Sequence, residues 1–191
     1  TVRHGDRVCF ASHPDQQDQV LVSPFIDNRI GCWLLTRLPE VVCHWRCHCR
    51  VVAGATASEE LGGFGAPVLA RHLQPDLVVV LDATYATDEQ PVRLGGGPVL
   101  TVSDASVLLS PSLRDEVMAC FNQAGLPLQT EVYNYSGTDA RAFPHQGLTA
   151  PVLPLLLPTT GNHSPTERLD LHDTESLLSG LQALAEHFFP A

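Results

Sequence analysis

The chain has 191 residues, 44% hydrophobic and 17% charged, with a formal net charge of −10. That composition fits one globular domain with its own core and excludes a disordered chain. It contains no lysine and no run of basic residues, which argues against binding nucleic-acid phosphates or an anionic membrane. The first twenty residues read as a polar, turn-rich lead-in, with only 7–10 strand-like. Apolar runs bounded by turn residues then predict strands over 20–22, 50–56, 77–82, 98–102, 129–133 and 152–157. Helical spacing predicts helices over 29–38, 65–73, 112–124 and 174–189, with a further one starting over 140–144. In the last helix Leu177, Leu178, Leu181, Leu184, Ala185 and Phe188 form one stripe. Val78-Val79-Val80-Leu81 and 152–157 are almost continuously apolar, as in central strands covered by helices on both faces. The alternation is that of an α/β fold.

The apolar run over 151–158 is too short to span a bilayer, which needs about 20 residues, and Pro154 interrupts it. No basic segment followed by an apolar one opens the chain, so no signal peptide is expected. The chain starts on Thr1 without a methionine, and the start of the gene product is expected upstream. Cysteines stand at 9, 32, 43, 47, 49 and 120. The segment Cys43-His44-Trp45-Arg46-Cys47-His48-Cys49 has the composition of a metal cluster, but no second ligand pair follows it at zinc-site spacing. It reads better as a helix-to-strand connection with reduced thiols in a cytoplasmic protein.

The strongest local signals are acids placed just after apolar strands. Asp27 follows Pro24-Phe25-Ile26, Glu59 and Glu60 follow 50–56, Asp82 ends 77–81, and His163 follows the strand ending near Leu157. Ligands of open α/β sheets bind beyond the carboxyl ends of strands, so these side chains can converge. Converging carboxylates repel unless a cation neutralises them. Carboxylates with histidine suit zinc, with cobalt or manganese as alternatives. Two such ions bridged by a carboxylate and a water form a hydrolytic pair, and a further glutamate can take the water's proton. Glu59 and Glu60 cannot point the same way from an extended backbone, but Gly62, Gly63 and Gly65 supply a turn that separates them. Taken singly, Asp27 is equally an N-cap and the glutamate pair a solvated face.

The residues then match a known family. Asp27-Asn28-Arg29-Ile30-Gly31 resembles "DDRIG", and the segment from Ala55 to Ala66 resembles "ATVQEEVGLRGA". Leu81-Asp82-Ala83-Thr84 followed by Asp88 is similar to "IDVT…D", and Leu94-Gly95-Gly96-Gly97-Pro98 to "LGKGP". Ser136-Gly137-Thr138-Asp139-Ala140 resembles "GGTDA", and His163-Ser164-Pro165-Thr166-Glu167 resembles "IHSPTE". In this order they resemble the glutamyl and tetrahedral aminopeptidases, metallopeptidase family forty-two, from about Gly5 onward. The resemblance implies a three-layer sandwich, with a mixed, mainly parallel sheet between helices. It implies residues 1–20 as the tail end of an inserted small β domain and 21–191 as the catalytic domain, its N-terminal part absent. Asp27 would bridge two divalent ions, zinc first; Glu60 and His163 would complete one site and Asp82 serve the other. Glu59 would be the general base, and Gly137, Thr138 and Asp139 would line the substrate cleft. Peptide substrates and a homo-oligomer follow from the same resemblance.

The chain departs from the family pattern in places. An upstream His-x-Asp motif, whose histidine shares the metal of Asp82, is not in this chain, and His4-Gly5-Asp6 falls at the insert's "GDxV" place instead. Gly96 replaces the lysine of "LGKGP", and Asn28 the second aspartate of "DDR". The alternatives are an inactive or incomplete remnant that binds at most one metal, and a Cys/His metal module on an unrelated α/β domain.

Overall fold

A computed structural model describes residues 2–11 and 13–191; Thr1 and Ser12, both in the expected lead-in, lie outside the described residues. The eight strands described are β1 (Asp15–Gln17), β2 (Val20–Ser23), β3 (Val78–Val80), β4 (Ala83–Tyr85), β5 (Val99–Asp104), β6 (Gln129–Tyr133), β7 (Val152–Thr160) and β8 (Glu167–Asp170). They run in the order β1-β2-β8-β7-β5-β6, with β3 and β4 also pairing with β7. The sheet is mixed, as expected, with three parallel and four antiparallel pairings among the described strands where a mainly parallel set was expected. β3 and β4 lie parallel to β7 and β6 to β5, while β1–β2, β2–β8, β8–β7 and β7–β5 are antiparallel.

The helices are α1 (Ile26–Val42), α2 (Gly65–His72), α3 (Pro111–Gln123), α4 (Ala142–His145) and α5 (Leu171–Phe188), with a 3-10 turn at Asp139–Arg141 before α4. β7 organises the layers through the two-residue alternation of a strand. Leu153, Leu155 and Leu157 enter the larger core with Ile30 and Leu34 of α1, Val117 and Phe121 of α3, and Leu177, Leu181 and Leu184 of α5. Val152 joins Val78 and Val80 in a smaller core with Ala66 and Ala70 of α2 and with Ala142 and Phe143 of α4. Helices thus cover both faces of an α/β sheet, the three-layer arrangement that the resemblance implies.

Three further expectations need correction. The predicted strand over 50–56 has no ladder partner among the described residues, and Val51 and Val52 are exposed; β-propensity alone does not make a strand without a neighbouring edge. Residues 7–10 are likewise irregular. The helix predicted from Arg29 begins at Ile26, but Asp27 (φ −78°, ψ 109°) and Asn28 (φ −118°, ψ 48°) break helical geometry at its entry. That irregular entry sets the direction of the Asp27 side chain.

Candidate metal centre

Asn28 ties the entry of α1 to the end of β3, because its amide donates to the Leu81 carbonyl (2.8 Å) and its Oδ1 accepts from the Gly31 N–H (2.9 Å). An aspartate could make the second bond but not the first, since a carboxylate has no proton to donate. This brings Asp27 beside Asp82, which lies between β3 and β4.

Across the sheet, Glu167 is the first residue of β8 and almost fully buried. Its carboxylate accepts from the Asp27 N–H (2.9 Å) and from the His163 N–H (2.9 Å). Charge-assisted bonds of this kind are about twice as strong as neutral ones, so one buried glutamate fixes two distant backbones together. His163 itself sits at φ 62°, in the left-handed region, so that its ring turns back over Asp27.

The turn after 50–56 behaves as the glycines predicted. Gly62 N–H donates to the Glu59 carbonyl (3.0 Å) and Gly63 N–H to the Ser58 carbonyl (2.9 Å). Gly62 and Gly63 take φ 114° and 67°, conformations that favour glycine. The two acids leave this turn in different directions. Glu60 reaches the His163 ring (Oε2 to Nε2, 3.5 Å), while Glu59 faces Arg141 (Oε1 to Nη2, 3.4 Å).

Three donors therefore converge. Asp27 Oδ2 lies 3.1 Å from His163 Nε2, and one donor atom from each of Asp27, Glu60 and His163 falls within 4.8 Å of the others. Among the described residues this is the His/Cys/Asp/Glu group with that spacing, and the Cys43–Cys49 segment is not one. Asp82 stays outside the compact group. Burial first, and then the neighbouring Asp27 carboxylate, push its carboxyl up to about 8. Asp27 is raised by burial first and then by Glu60. Crowded, half-buried acids without a cation are held toward their neutral forms, which is the electrostatic signature of a site that suits one.

The turn carrying Gly137, Thr138 and Asp139 closes the other side of Glu59. Ser106 clamps it, with Oγ accepting from Thr138 N–H (2.6 Å) and donating to Thr138 O (3.0 Å). A Cβ on Gly137 would stand 2.7 Å from that oxygen, so glycine permits the close approach. Thr56 donates its hydroxyl to Asp139 Oδ2, while Asp139 Oδ1 is buried with no hydrogen-bond partner. Glu59 is raised by burial first and then by the Asp139 and Glu60 carboxylates, with Arg141 opposing.

Sequence reasoning missed Glu167, Arg141 and an aromatic row. Glu167 was visible inside the His163–Glu167 motif, but nothing in a sequence says that its carboxylate turns back to backbone. Tyr85 packs edge-on to His163 (6.4 Å between centroids), and Tyr133 lies 5.7 Å from Tyr85 and 5.8 Å from Tyr135.

The profile of the M42 glutamyl aminopeptidases matches residues 1–179. The chain belongs to that family. It is 31% identical over 170 residues to FrvX of Escherichia coli strain K12, covering 85% of this chain and 47% of that protein. It is 27% identical over 176 residues to the lysyl aminopeptidase of Pyrococcus furiosus, covering 88% and 49%. In three dimensions it resembles the Pyrococcus horikoshii TET1 peptidase, which assembles into a tetrahedron or a large octahedral shell, with a TM-score of 0.78 at 29% identity over 91% of this chain and 52% of that one. This M42 chain thus spans about half the length of the relatives it matches. No helix in the described residues is long and apolar enough to cross a membrane.

Proposed function

We propose that this chain carries the greater part of the active site of a metal-dependent aminopeptidase, releasing residues from the free amino ends of peptides. The observation that carries the reading is the convergence of Asp27, Glu60 and His163 beside a separately aimed Glu59. Asp27, Glu60 and His163 would hold one divalent ion, zinc first with cobalt or manganese as alternatives. Asp27 and Asp82 would serve a second, with Asp27 shared. Such ions supply Lewis acidity toward the scissile carbonyl and acidify an attacking water.

The chain's own residues supply the rest. Glu59 takes a proton from the water and returns it to the departing amine, and its raised pKa brings it closer to the neutral range in which a base works well. Arg141 keeps that carboxylate in place from the opposite side. Gly137, Thr138 and Asp139 would line the substrate cleft beside Glu59, in the turn that Ser106 clamps. Residues 1–20 read as the end of an inserted β domain and 21–191 as the catalytic domain of a homo-oligomer.

The test is hydrolysis of a peptide panel by metal-stripped protein reloaded with zinc or cobalt. Glu59→Gln is expected to lower kcat by ~10²–10⁴-fold, the range for general acid–base catalysis, with metal stoichiometry unchanged. Full activity in that variant overturns the role of Glu59. No metal-dependent cleavage of any peptide, from the chain or its complete gene product, overturns the reading and favours a non-catalytic remnant holding at most one ion.

A further inference from the structure

The segment from His44 to Arg50 is not used by the proposed reaction, and it lies apart from the metal centre. Cys47 Sγ and Cys49 Sγ stand 3.4 Å apart, both half-buried. The other thiols differ from them. Cys9, Cys32 and Cys43 are exposed, Cys120 is buried, and the Cys43 thiol is directed at the Glu40 carbonyl (3.4 Å).

The backbone under the pair is anchored on both sides to the end of α5. Arg46 N–H donates to Glu186 Oε1 (2.9 Å), Cys47 forms a bridge with Pro190, and His48 N–H donates to the Phe189 carbonyl (2.9 Å). Two thiols held face to face lose little further freedom when they join, which is the origin of high effective concentration in intramolecular reactions. Arg46 and Arg50 flank the pair in sequence, with the Glu186 carboxylate at the Arg46 N–H; the thiolate is the form of cysteine that reacts.

We propose that Cys47 and Cys49 form a reversible dithiol–disulfide site whose reactant is a two-electron oxidant of the peroxide class. Burial, then the hydrogen bond and charge of Cys47, push the Cys49 thiol up, which makes Cys47 the attacking sulfur of the proposal and Cys49 the resolving one. The Cys47 sulfur attacks hydrogen peroxide, the O–O bond breaks, and a sulfenic acid and one water result. The Cys49 sulfur then attacks the sulfenic sulfur, an S–S bond forms, the S–O bond breaks, and the oxygen leaves as a second water. Two thiols and one peroxide give one disulfide and two waters, with two electrons passing from sulfur to oxygen. A dithiol reductant reverses it by exchange.

The test does not depend on peptidase activity. The reduced protein is treated with limiting hydrogen peroxide, blocked with N-ethylmaleimide under denaturing conditions and cut with trypsin. Cleavage after Arg46 and Arg50 isolates Cys47-His48-Cys49-Arg50 for mass spectrometry. This peptide is expected two hydrogens light and carrying no maleimide, restored by dithiothreitol, and formed at least about tenfold faster than in guanidinium-unfolded chain. In Cys49→Ser, dimedone is expected to trap Cys47 as its sulfenic acid. The proposal is overturned if the peptide carries two maleimides or a sulfinic acid, if either cysteine is joined to Cys43 or Cys9 instead, if the unfolded chain closes equally fast, or if dimedone leaves Cys47 unlabelled.

Discussion

Glu167 shows how one side chain can define a site without entering it. Its two oxygens accept from the Asp27 and His163 N–H groups, so the positions of two proposed ligands depend on a residue that touches no substrate. Replacing it by glutamine keeps the shape but turns one accepting oxygen into a donor that faces an N–H. Glu167→Gln is therefore expected to weaken zinc binding by ~10–100-fold, the range for residues that orient metal ligands, with a cooperative melt retained. Titration calorimetry on metal-stripped protein measures this, and an unchanged affinity would remove Glu167 from the site. At the same scale, the sequence placed Asp27, Asp82 and His163 after strands because polar residues interrupt apolar runs there, whereas Glu59 and Glu60 follow the irregular segment 50–56. Directions were less legible. The glycine turn foretold that Glu59 and Glu60 separate, but the partner of each, Arg141 and His163, comes from chain segments some eighty and a hundred residues away.

At the scale of elements, β7 was readable as a buried strand because it is apolar on both faces, and α5 because its leucines recur at helical spacing. The segment over 50–56 has comparable residues yet makes no ladder, since pairing is a property of two strands and only one of them is in the segment itself. Packing between α3 and α5 is equally non-local. A Cβ on Gly180 would lie 2.4 Å from Phe121 Cζ, so the helices approach through the missing side chain. Gly180→Ala is expected to destabilise by about 1–3 kcal/mol, as overpacked cores do, and Phe121→Leu in the same chain to recover part of that loss in thermal melts. Glu131 on β6 joins three strands, accepting from Thr84 Oγ1 of β4 (2.6 Å) and Thr101 Oγ1 of β5 (2.7 Å). Burial raises its pKa, with the two threonine bonds opposing. A carboxyl raised on folding contributes stability at pH below its unfolded value, and that contribution is lost as pH rises through the folded value. Glu131→Gln, neutral at every pH, is expected to flatten this fall and to melt higher than the parent above neutral pH but not in acid. A constant difference across pH would contradict the assignment.

For the whole molecule, six acids meet near one rim: Asp27, Glu59, Glu60, Asp82, Asp139 and Glu167. A cation bound there relieves their repulsion only in the folded state, so zinc is expected to raise the melting temperature and a chelator to lower it. At a hundredfold excess over Kd the linkage is worth about 2.7 kcal/mol, readable by calorimetry, and indifference to both additions would argue against a bound ion. By itself the sequence determined the α/β class, most elements and the identity of the candidate ligands. These follow from local periodicity and from the chemistry each side chain carries. Only the tertiary structure decided that Asp27, Glu60 and His163 share one point while Asp82 stands beside it, that Glu167 braces them, and that 50–56 pairs with no described strand. Those outcomes depend on how distant segments are packed together, and neither periodicity nor composition encodes a direction in space.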